Sequence, residues 1–590
     1  MLKMKLSRIL LIVMAMMFAS CGSEPERHTL HVVSTGDVHG SWFDEDYIDS
    51  NKKSSSLLAV SKKVNDLRAE VGAENVLLID AGDCLQGDVA PYYYNYVKTD
   101  VPHLFPRLMK YMGYDCVVVG NHDIETGHAV YDKVRKEMDE AGIPWLGGNT
   151  IGENGDIYFQ EYKVFERAGL KILVLGYTNP NIPEWLQEDK WKGLTFNSLV
   201  PYVQERVDVV KAKENPDVTI VAVHSGTGNG DGKMYESQGL DLLKSLKGVD
   251  LLVTAHDHKP LADSLNGIAY MNSGSKAGAV GHSVIDVTKA NGKVLKINSS
   301  TAIEKIDKDD VDTTMKSCFA GDYEEVKSFS TRKIGTIDET IRTHDAFKGQ
   351  CAYTNLINTV LLGVTGADIA FTAPLTYDGT VNAGDIRYCD LRTIYPFENE
   401  MIMMKMKGCE VKGFLEFSYD KWINTCNEDA AMDKEFHLLK IIEKDDARNG
   451  LKGWSFENKS YNFEAAAGLN YVVDVTKSLG ERLIINSFAD GRSFDPEEFY
   501  NVAMTSYRFS GAGDLLPDGA GISAEEAQKR VVAKYREIRD LINEFVVDNQ
   551  DIRISMISDK SVVGEWRFEP SSVVEPLIRK DMNLLFHDVK

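Results

Sequence analysis

The chain has 590 residues, too many for a single hydrophobic core, so two or more domains are expected. Hydrophobic residues make up 43% and charged residues 26%, ordinary proportions for a soluble globular protein. A net charge of −23 argues against general binding of nucleic-acid polymers, whose phosphates it would repel, but leaves local phosphate binding through metal ions open.

The first residues read as a targeting segment. Lys3, Lys5 and Arg8 precede an apolar run of 11 residues, ILLIVMAMMFA. That run suits a signal-peptide core and is too short to span a bilayer. The following FASCGS resembles a bacterial lipobox, with residues 1–20 as signal peptide and Cys21 as the lipidated residue, although Phe18 stands where Leu is usual. The alternative is an ordinary cleavable signal peptide beside a cysteine. The mature protein is expected to be exported, periplasmic or on the cell surface, and held to the membrane by a lipid at most. Without Cys21 seven widely spaced cysteines remain, an odd number that makes no disulfide framework.

From residue 28 to about 305 one pattern recurs: a short apolar run, a polar end, then a helix-like stretch. The runs LHVVS, NVLLID, CVVVG, KILVLG, VTIVAV and DLLVTA are continuous rather than alternating, which predicts strands buried on both faces. SLLAVSKKVNDLRAEV and VPYVQERVDVVKAK predict amphipathic helices between them. Together they make a layered α/β domain. Residues 303–335, charged and weakly apolar, predict a partly helical linker. A second α/β region follows, with apolar runs ADIAFTAP, MIMMKMKG and EFYNVAMTS, and AEEAQKRVVAKYREIRDLINEFV predicts one long late helix.

Five strands of the first half end in polar side chains of one chemical kind. TGDVHG brings Asp37 and His39, DAGDCLQG brings Asp83, GNHD brings Asn121 and His122, HSG brings His224, and AHDHK brings His256 and His258. In an α/β sheet the C-terminal strand edge is where ligands bind. Histidine and carboxylate bind divalent first-row metals, and seven such ligands exceed what one tetrahedral ion needs. A bridging carboxylate suits two ions ~3.5–4 Å apart, the spacing of phosphoryl-transfer sites.

Taken in order, D-x-H, G-D, G-N-H-D, H-x-G and H-x-H resemble the calcineurin-like metallophosphoesterases. DAGDCLQGD and GNHDIETGH narrow the resemblance to the two-domain 5′-nucleotidase family. The resemblance implies an αββα layered phosphoesterase domain over residues 28–302, a linker over 303–335 and a C-terminal α/β substrate-binding domain over 336–590. It implies two divalent ions, of zinc, manganese or iron. One takes Asp37, His39, Asp83 and His258; the other takes Asp83 as bridge, Asn121, His224 and His256. It gives His122 a role at the scissile phosphate, stabilising the transition state or protonating the leaving oxygen, while a metal-bound hydroxide attacks phosphorus. The family usually orients that histidine with an Asp three residues on, and cyclic-nucleotide-cleaving relatives often have Asn there. Glu125 departs from both patterns and keeps the acid, one methylene longer.

In the second half, IYPFENEMIMMKMKG resembles the family's base-stacking segment, which implies Phe397 and Asn399 at the substrate. TSYRFSGAGD resembles its second stacking segment, implying Tyr507 and a turn at Gly511 and Gly513. Two aromatics can sandwich a nucleobase, each stack being worth ~1–3 kcal/mol; without the resemblance both would be read as core residues. The YRFSGAGD form, FTAPL at 371–375 and EWRF at 565–568 resemble the 2′,3′-cyclic-nucleotide 2′-phosphodiesterase/3′-nucleotidase branch. The expectation is an exported, lipid-anchored phosphoesterase of nucleotides or cyclic nucleotides, with no protein partner implied. The alternatives are a 5′-nucleotidase or UDP-sugar hydrolase, or an inactive nucleotide-binding surface lipoprotein.

Overall fold

The six continuous apolar runs of the first half become strands, and their burial on both faces follows from how two sheets stack. The computed structural model describes residues 24–47, 52–186, 188–397, 399–426, 433, 435–446 and 451–586; residues 1–20, expected from the sequence to be a signal peptide, and Cys21 lie outside the described residues. The chain forms two units, residues 1–327 and 328–590.

The first unit holds β1 (Glu26–Thr35), β2 (Val76–Asp80), β3 (Cys116–Val118), β4 (Trp145–Leu146), β5 (Thr150–Gly152), β6 (Tyr162–Arg167), β7 (Leu170–Tyr177), β8 (Leu194–Phe196), β9 (Val218–Val223), β10 (Leu251–Thr254), β11 (Leu261–Leu265), β12 (Ile268–Asn272), β13 (Ala279–Ala290) and β14 (Lys293–Lys305). One sheet runs β14-β13-β1-β2-β3-β4, with β1 to β4 parallel to one another and β13 antiparallel to β1 and β14. The other runs β11-β12-β10-β9-β7-β6, with β7, β9, β10 and β12 parallel. β5 and β8 pair as a small ribbon.

Alternate residues of the two sheets share one core. Val32, Leu77, Ile79 and Val118 of the first sheet are buried with Ile172, Val174, Ile220, Ala222, Leu251 and Val253 of the second. The intervening residues of the second sheet, Leu173, Leu175, Val221 and Val223, face Leu199, Val203, Val207 and Val210 of the helix Leu199–Glu214. The first sheet is covered by the helix Leu57–Val71, which buries Leu57, Leu58, Val60 and Val64. Helix, sheet, sheet, helix is the αββα order. Each such side chain contributes roughly 1.5–3 kcal/mol on burial, which fixes the strands tightly enough to aim the residues at their ends.

Residues 306–327 carry the helix Thr313–Cys318 and most of the helix Ala320–Ser330. Asp322 accepts hydrogen bonds from Arg107 at 2.7 and 2.9 Å and from the Tyr94 hydroxyl at 2.6 Å.

The second unit is built on a five-stranded sheet ordered Ala465–Ala467, Ile369–Thr372, Phe499–Thr505, Glu400–Lys407, Val531–Glu537. The helix Gly408–Trp422 lays Val411, Phe414, Leu415, Tyr419 and Trp422 on it, with Phe414 stacked on Phe371 at 4.3 Å between centroids.

The long late helix expected over 524–546 is not formed. The segment divides into a helix Ala524–Lys529, a strand Val531–Glu537 and a helix Ile538–Asn549. Within VVAKYRE, exposure alternates residue by residue, and the stretch pairs antiparallel with Met401–Met404 at the sheet edge. The β-branched pair Val531–Val532 and an unpaired strand edge outweigh the helix propensity of the flanking Ala, Lys and Glu. Among the described residues no helix is long and apolar enough to cross a membrane. Each of the seven described cysteines is a free thiol.

Candidate active site and base-binding surface

Because β1, β2, β3, β9 and β10 run parallel within their sheets, their C-terminal ends gather the predicted side chains. The residues leave the strands in strained backbone. Asp37, His39, Asp83, His256 and His258 all have positive φ, between 47° and 77°. Non-glycine residues rarely adopt this region, and it persists where the surrounding structure overdetermines it. Gly120 is required for a steric reason: a Cβ there would lie 2.0 Å from Asp83 Oδ1.

Two clusters result. Asp37, His39 and His258 each offer a ligand atom within 4.8 Å of the others, and so do Asp83, His224 and His256. His39 Nε2 is 3.0 Å from His258 Nε2, and Asp37 Oδ1 is 3.6 Å from the same His258 nitrogen. His224 Nε2 lies 3.0 Å from Asp83 Oδ2 and 4.0 Å from Asp37 Oδ1, so it sits between the two clusters. Asn121 Oδ1 is 3.0 Å from His256 Nδ1.

The donor set fits two divalent ions. Asp37 Oδ1 is buried and makes no hydrogen bond, and the buried His224 Nε2 has the Asp83 carboxylate 3.0 Å away, so polar atoms of both clusters face one interior space. The opposite nitrogens are occupied by backbone: His224 Nδ1 faces Ala81 O at 2.8 Å and His39 Nδ1 faces Gln86 O at 3.2 Å. This fixes each tautomer so that Nε2 points inward. Burial pushes His39 and His256 down to about 3 and lowers His258, keeping three imidazoles neutral, as ligands must be. Burial also raises Asp37. For Asp83 burial acts upward, but the charges of His224 and His122 outweigh it and hold the carboxyl well below its usual range. His224 goes the other way: burial lowers it, the Asp83 and Asp37 carboxylates more than offset this, and it rises to about 9, so an ion bound here would have to displace its Nε2 proton.

Beside these clusters, His122 Nδ1 lies 2.5 Å from Glu125 Oε2, and the backbone N–H of His122 donates to Asp83 Oδ1 at 2.8 Å. The His122 and His39 rings are 5.3 Å apart. The short helix Asn121–Glu125 puts His122 and Glu125 one turn apart on the same side.

Several residues that sequence reasoning did not single out support this set. Gln86 donates to Glu125 Oε2 at 3.0 Å. The buried Asp123 carboxylate accepts the backbone N–H groups of Gly120, Asp83, Cys84 and Leu85 at 2.8–3.2 Å, tying the loop after β2 to the loop after β3. Asp257, between the two histidines of H-x-H, binds Asn272 Nδ2 and Thr227 N. Trp185 stacks on the His256 ring, 5.2 Å between centroids and 18° between planes. Asp123 and Asp257 were visible inside the motifs; Trp185 carried no spacing signal.

In the second unit Phe397 and Tyr507 are on the surface, 39% and 38% exposed. The Asn399 side chain donates to the Tyr395 hydroxyl at 3.3 Å. Gly511 and Gly513 have φ of 90° and 74°, as the turn in GAGD requires. EWRF lies in the strand Gly564–Glu569, where Trp566 and Phe568 are core residues.

An αββα unit with these clusters at its strand ends is that of a metal-dependent phosphoester hydrolase. The chain belongs to the calcineurin-like phosphoesterases that carry a 5′-nucleotidase C-terminal domain: residues 30–260 match the first family and residues 333–517 the second. It is 22% identical to the trifunctional nucleotide phosphoesterase protein YfkN of Bacillus subtilis over 94% of this chain, though it spans only 40% of that protein's length. It is 22% identical to the 2′,3′-cyclic-nucleotide 2′-phosphodiesterase/3′-nucleotidase of Yersinia enterocolitica over 82% of each chain. Its fold matches the crystal structure of a putative 5′-nucleotidase from Staphylococcus aureus with a TM-score of 0.71 at 21% identity, covering 92% of this chain and 100% of that one.

Proposed function

We propose that the chain hydrolyses nucleotide phosphoesters in the manner of a 2′,3′-cyclic-nucleotide 2′-phosphodiesterase/3′-nucleotidase. The observation that carries this reading is the pair of three-ligand clusters beside the His122–Glu125 contact. Asp37, His39 and His258 would hold one ion and Asn121, His224 and His256 the other, and Asp83 would serve both. Bound ions supply Lewis acidity toward phosphoryl oxygens and activate water. Glu125 accepts the Nδ1–H of His122, which orients the ring and offsets its charge when both nitrogens carry protons. Nε2 is then the nitrogen that donates to the leaving ester oxygen. Phe397 and Tyr507 stack on the base, and Asn399 with the Gly511–Gly513 turn completes the nucleoside contacts.

One observation favours a second reading, that of a 5′-nucleotidase or UDP-sugar hydrolase: the residue on His122 is a carboxylate, closer to the usual Asp than to the Asn of cyclic-nucleotide enzymes. A panel of 2′,3′-cyclic AMP, 3′-AMP, 5′-AMP and UDP-glucose separates the two. Fastest release from the first two supports the proposal, and a clear preference for 5′-AMP or UDP-glucose replaces it with the second reading.

We place the protein outside the cytoplasm, in the periplasm or on the cell surface, held by a lipid on Cys21. The support is residues 1–21 of the sequence. Cys21→Ser should move the protein from the membrane fraction to the soluble one; unchanged fractionation would contradict the anchor.

A further inference from the structure

The base-binding surface contains a third aromatic, from a part of the chain that no motif marks. Tyr461 touches both Phe397 and Tyr507, 5.9 Å from each between ring centroids and nearly perpendicular to both, at 82° and 89°. It sits in the single turn Ser460–Asn462, half-buried, directly before Phe463 and Glu464, which are buried. Two exposed aromatics with their rings set edge-to-face against a third form a shaped apolar surface, not scattered hydrophobic residues.

One buried side chain ties the Tyr461 turn to Tyr507. Arg508, 1% exposed, donates to Tyr461 O at 2.8 Å, Ala512 O at 2.5 Å, Glu464 Oε1 at 3.1 Å and Asn462 Oδ1 at 3.3 Å. Its guanidinium also stands 5.3 Å from the Tyr507 ring centre. The same fork therefore holds the Tyr461 turn, the Tyr507 ring and the glycine-rich turn. Gly513 is part of this arrangement: a Cβ there would lie 2.4 Å from Arg508 Nη1 and 2.5 Å from Asn462 Oδ1. Ser418 on the helix Gly408–Trp422 anchors the other side, donating to Glu464 O at 2.9 Å and Asn462 O at 3.3 Å. The Arg in Y-R-x-x-G-x-G is thus internal, and five donors in a rigid plane suit it where Lys would not.

We propose that Tyr461 is a specificity-determining residue of the nucleobase site, its ring closing the surface between Phe397 and Tyr507, and that Arg508 is its positioning residue. This rests on the reading of the chain as a nucleotide phosphoesterase. A nucleobase held by the two outer rings meets the Tyr461 ring at its edge, where the contact rewards a planar aromatic heterocycle and nothing in a sugar phosphate. Tyr461 thereby contributes to affinity for the base and takes no part in bond breaking.

The test is steady-state kinetics on the metal-loaded full chain with two substrates: the nucleotide that the panel ranks first, and the ribose phosphate of the same linkage without a base. Wild-type protein that does not distinguish them refutes the nucleotide reading and this proposal with it. Given discrimination, Tyr461→Ala should raise KM for the nucleotide about 3- to 10-fold, leave kcat within twofold and leave the ribose phosphate unaffected. Tyr461→Phe should restore the wild-type KM. Arg508→Lys keeps a charge beside Glu464 but loses the fork, and should give the same KM-only change. An unchanged nucleotide KM in Tyr461→Ala, or an equal loss on both substrates, overturns the proposal while leaving the nucleotide reading intact. A misfolded Arg508→Lys, seen as a lowered Tm, shifts the decision to the two Tyr461 variants, whose side chain is only half-buried.

Discussion

Glu125 Oε2 lies 2.5 Å from His122 Nδ1 and 3.0 Å from the Gln86 side-chain amide, so one carboxylate oxygen serves both partners. The extra methylene of Glu, relative to the Asp usual in the family, is accommodated within the single turn Asn121–Glu125. His122→Ala should lower kcat by about 10²- to 10⁴-fold, the usual worth of a positioned acid–base group. Metal content, measured by elemental analysis, should stay near wild type. Loss of an ion with the imidazole would make His122 a ligand and reverse the assigned roles.

Glu125→Gln removes the charge and keeps the shape. It should lower kcat and alter the pH–rate profile, whereas Glu125→Asp should retain most of the rate. A wild-type rate and profile in Glu125→Gln would make Glu125 a bystander, and Gln86 with it.

The Trp185 ring covers one face of His256. Trp185→Ala should loosen that ligand and weaken binding of the second ion by about 10-fold, within the range for residues that orient metal ligands. Titration of metal into stripped protein reads this directly, and Trp185→Phe should recover it. Equal affinity in the alanine variant would leave Trp185 without a part in holding the ligand.

Gly120→Ala places a methyl group where Asp83 Oδ1 now lies, 2.0 Å away. The backbone there cannot yield freely, because the Asp123 carboxylate holds Gly120 N and Asp83 N together. The expected result is a lower Tm together with metal affinity reduced by about 10- to 100-fold. A variant with normal metal content would show that the loop after β2 has slack that the structure does not suggest.

Much of the first unit was legible because parallel strands buried on both faces appear as continuous apolar runs, and parallel pairing carries their polar ends to one edge. Asp37, Asp83, Asn121, His224 and His256 needed only that rule. Phe397 and Tyr507 were harder: their residue type argues for the core, and only the neighbouring motifs argued for the surface where they lie. Trp185 and Tyr461 were not legible, since each matters through a contact across the fold and neither has a fixed spacing to its partner. VVAKYRE was misread because pairing with Met401–Met404 decides its conformation, and a strand edge is invisible to local periodicity.

The pH dependence of stability follows in part from His103. It is fully buried, and burial followed by the nearby Lys133 charge pushes it down to about 3. Its ring stays neutral, bonded to Asn95 Oδ1 at 3.0 Å and accepting Phe105 N–H at 3.2 Å. An unfolded histidine titrates near 6.5, so the unfolded chain takes up this proton first as pH falls. The contribution is therefore complete above about 6.5 and is lost progressively between that value and about 3. Tm should fall with pH in this window, and less steeply in His103→Gln, which cannot take up a proton. Parallel curves for the two proteins would remove His103 from the account.

The central claim is that seven strand-end side chains hold two ions and that turnover needs both. The most direct test strips the protein with EDTA, returns a divalent metal in measured equivalents, and follows phosphate release from the preferred nucleotide. Full activity should appear only as bound metal reaches two ions per chain, with little before the second. Turnover that survives complete stripping, or that saturates at one ion, would contradict it.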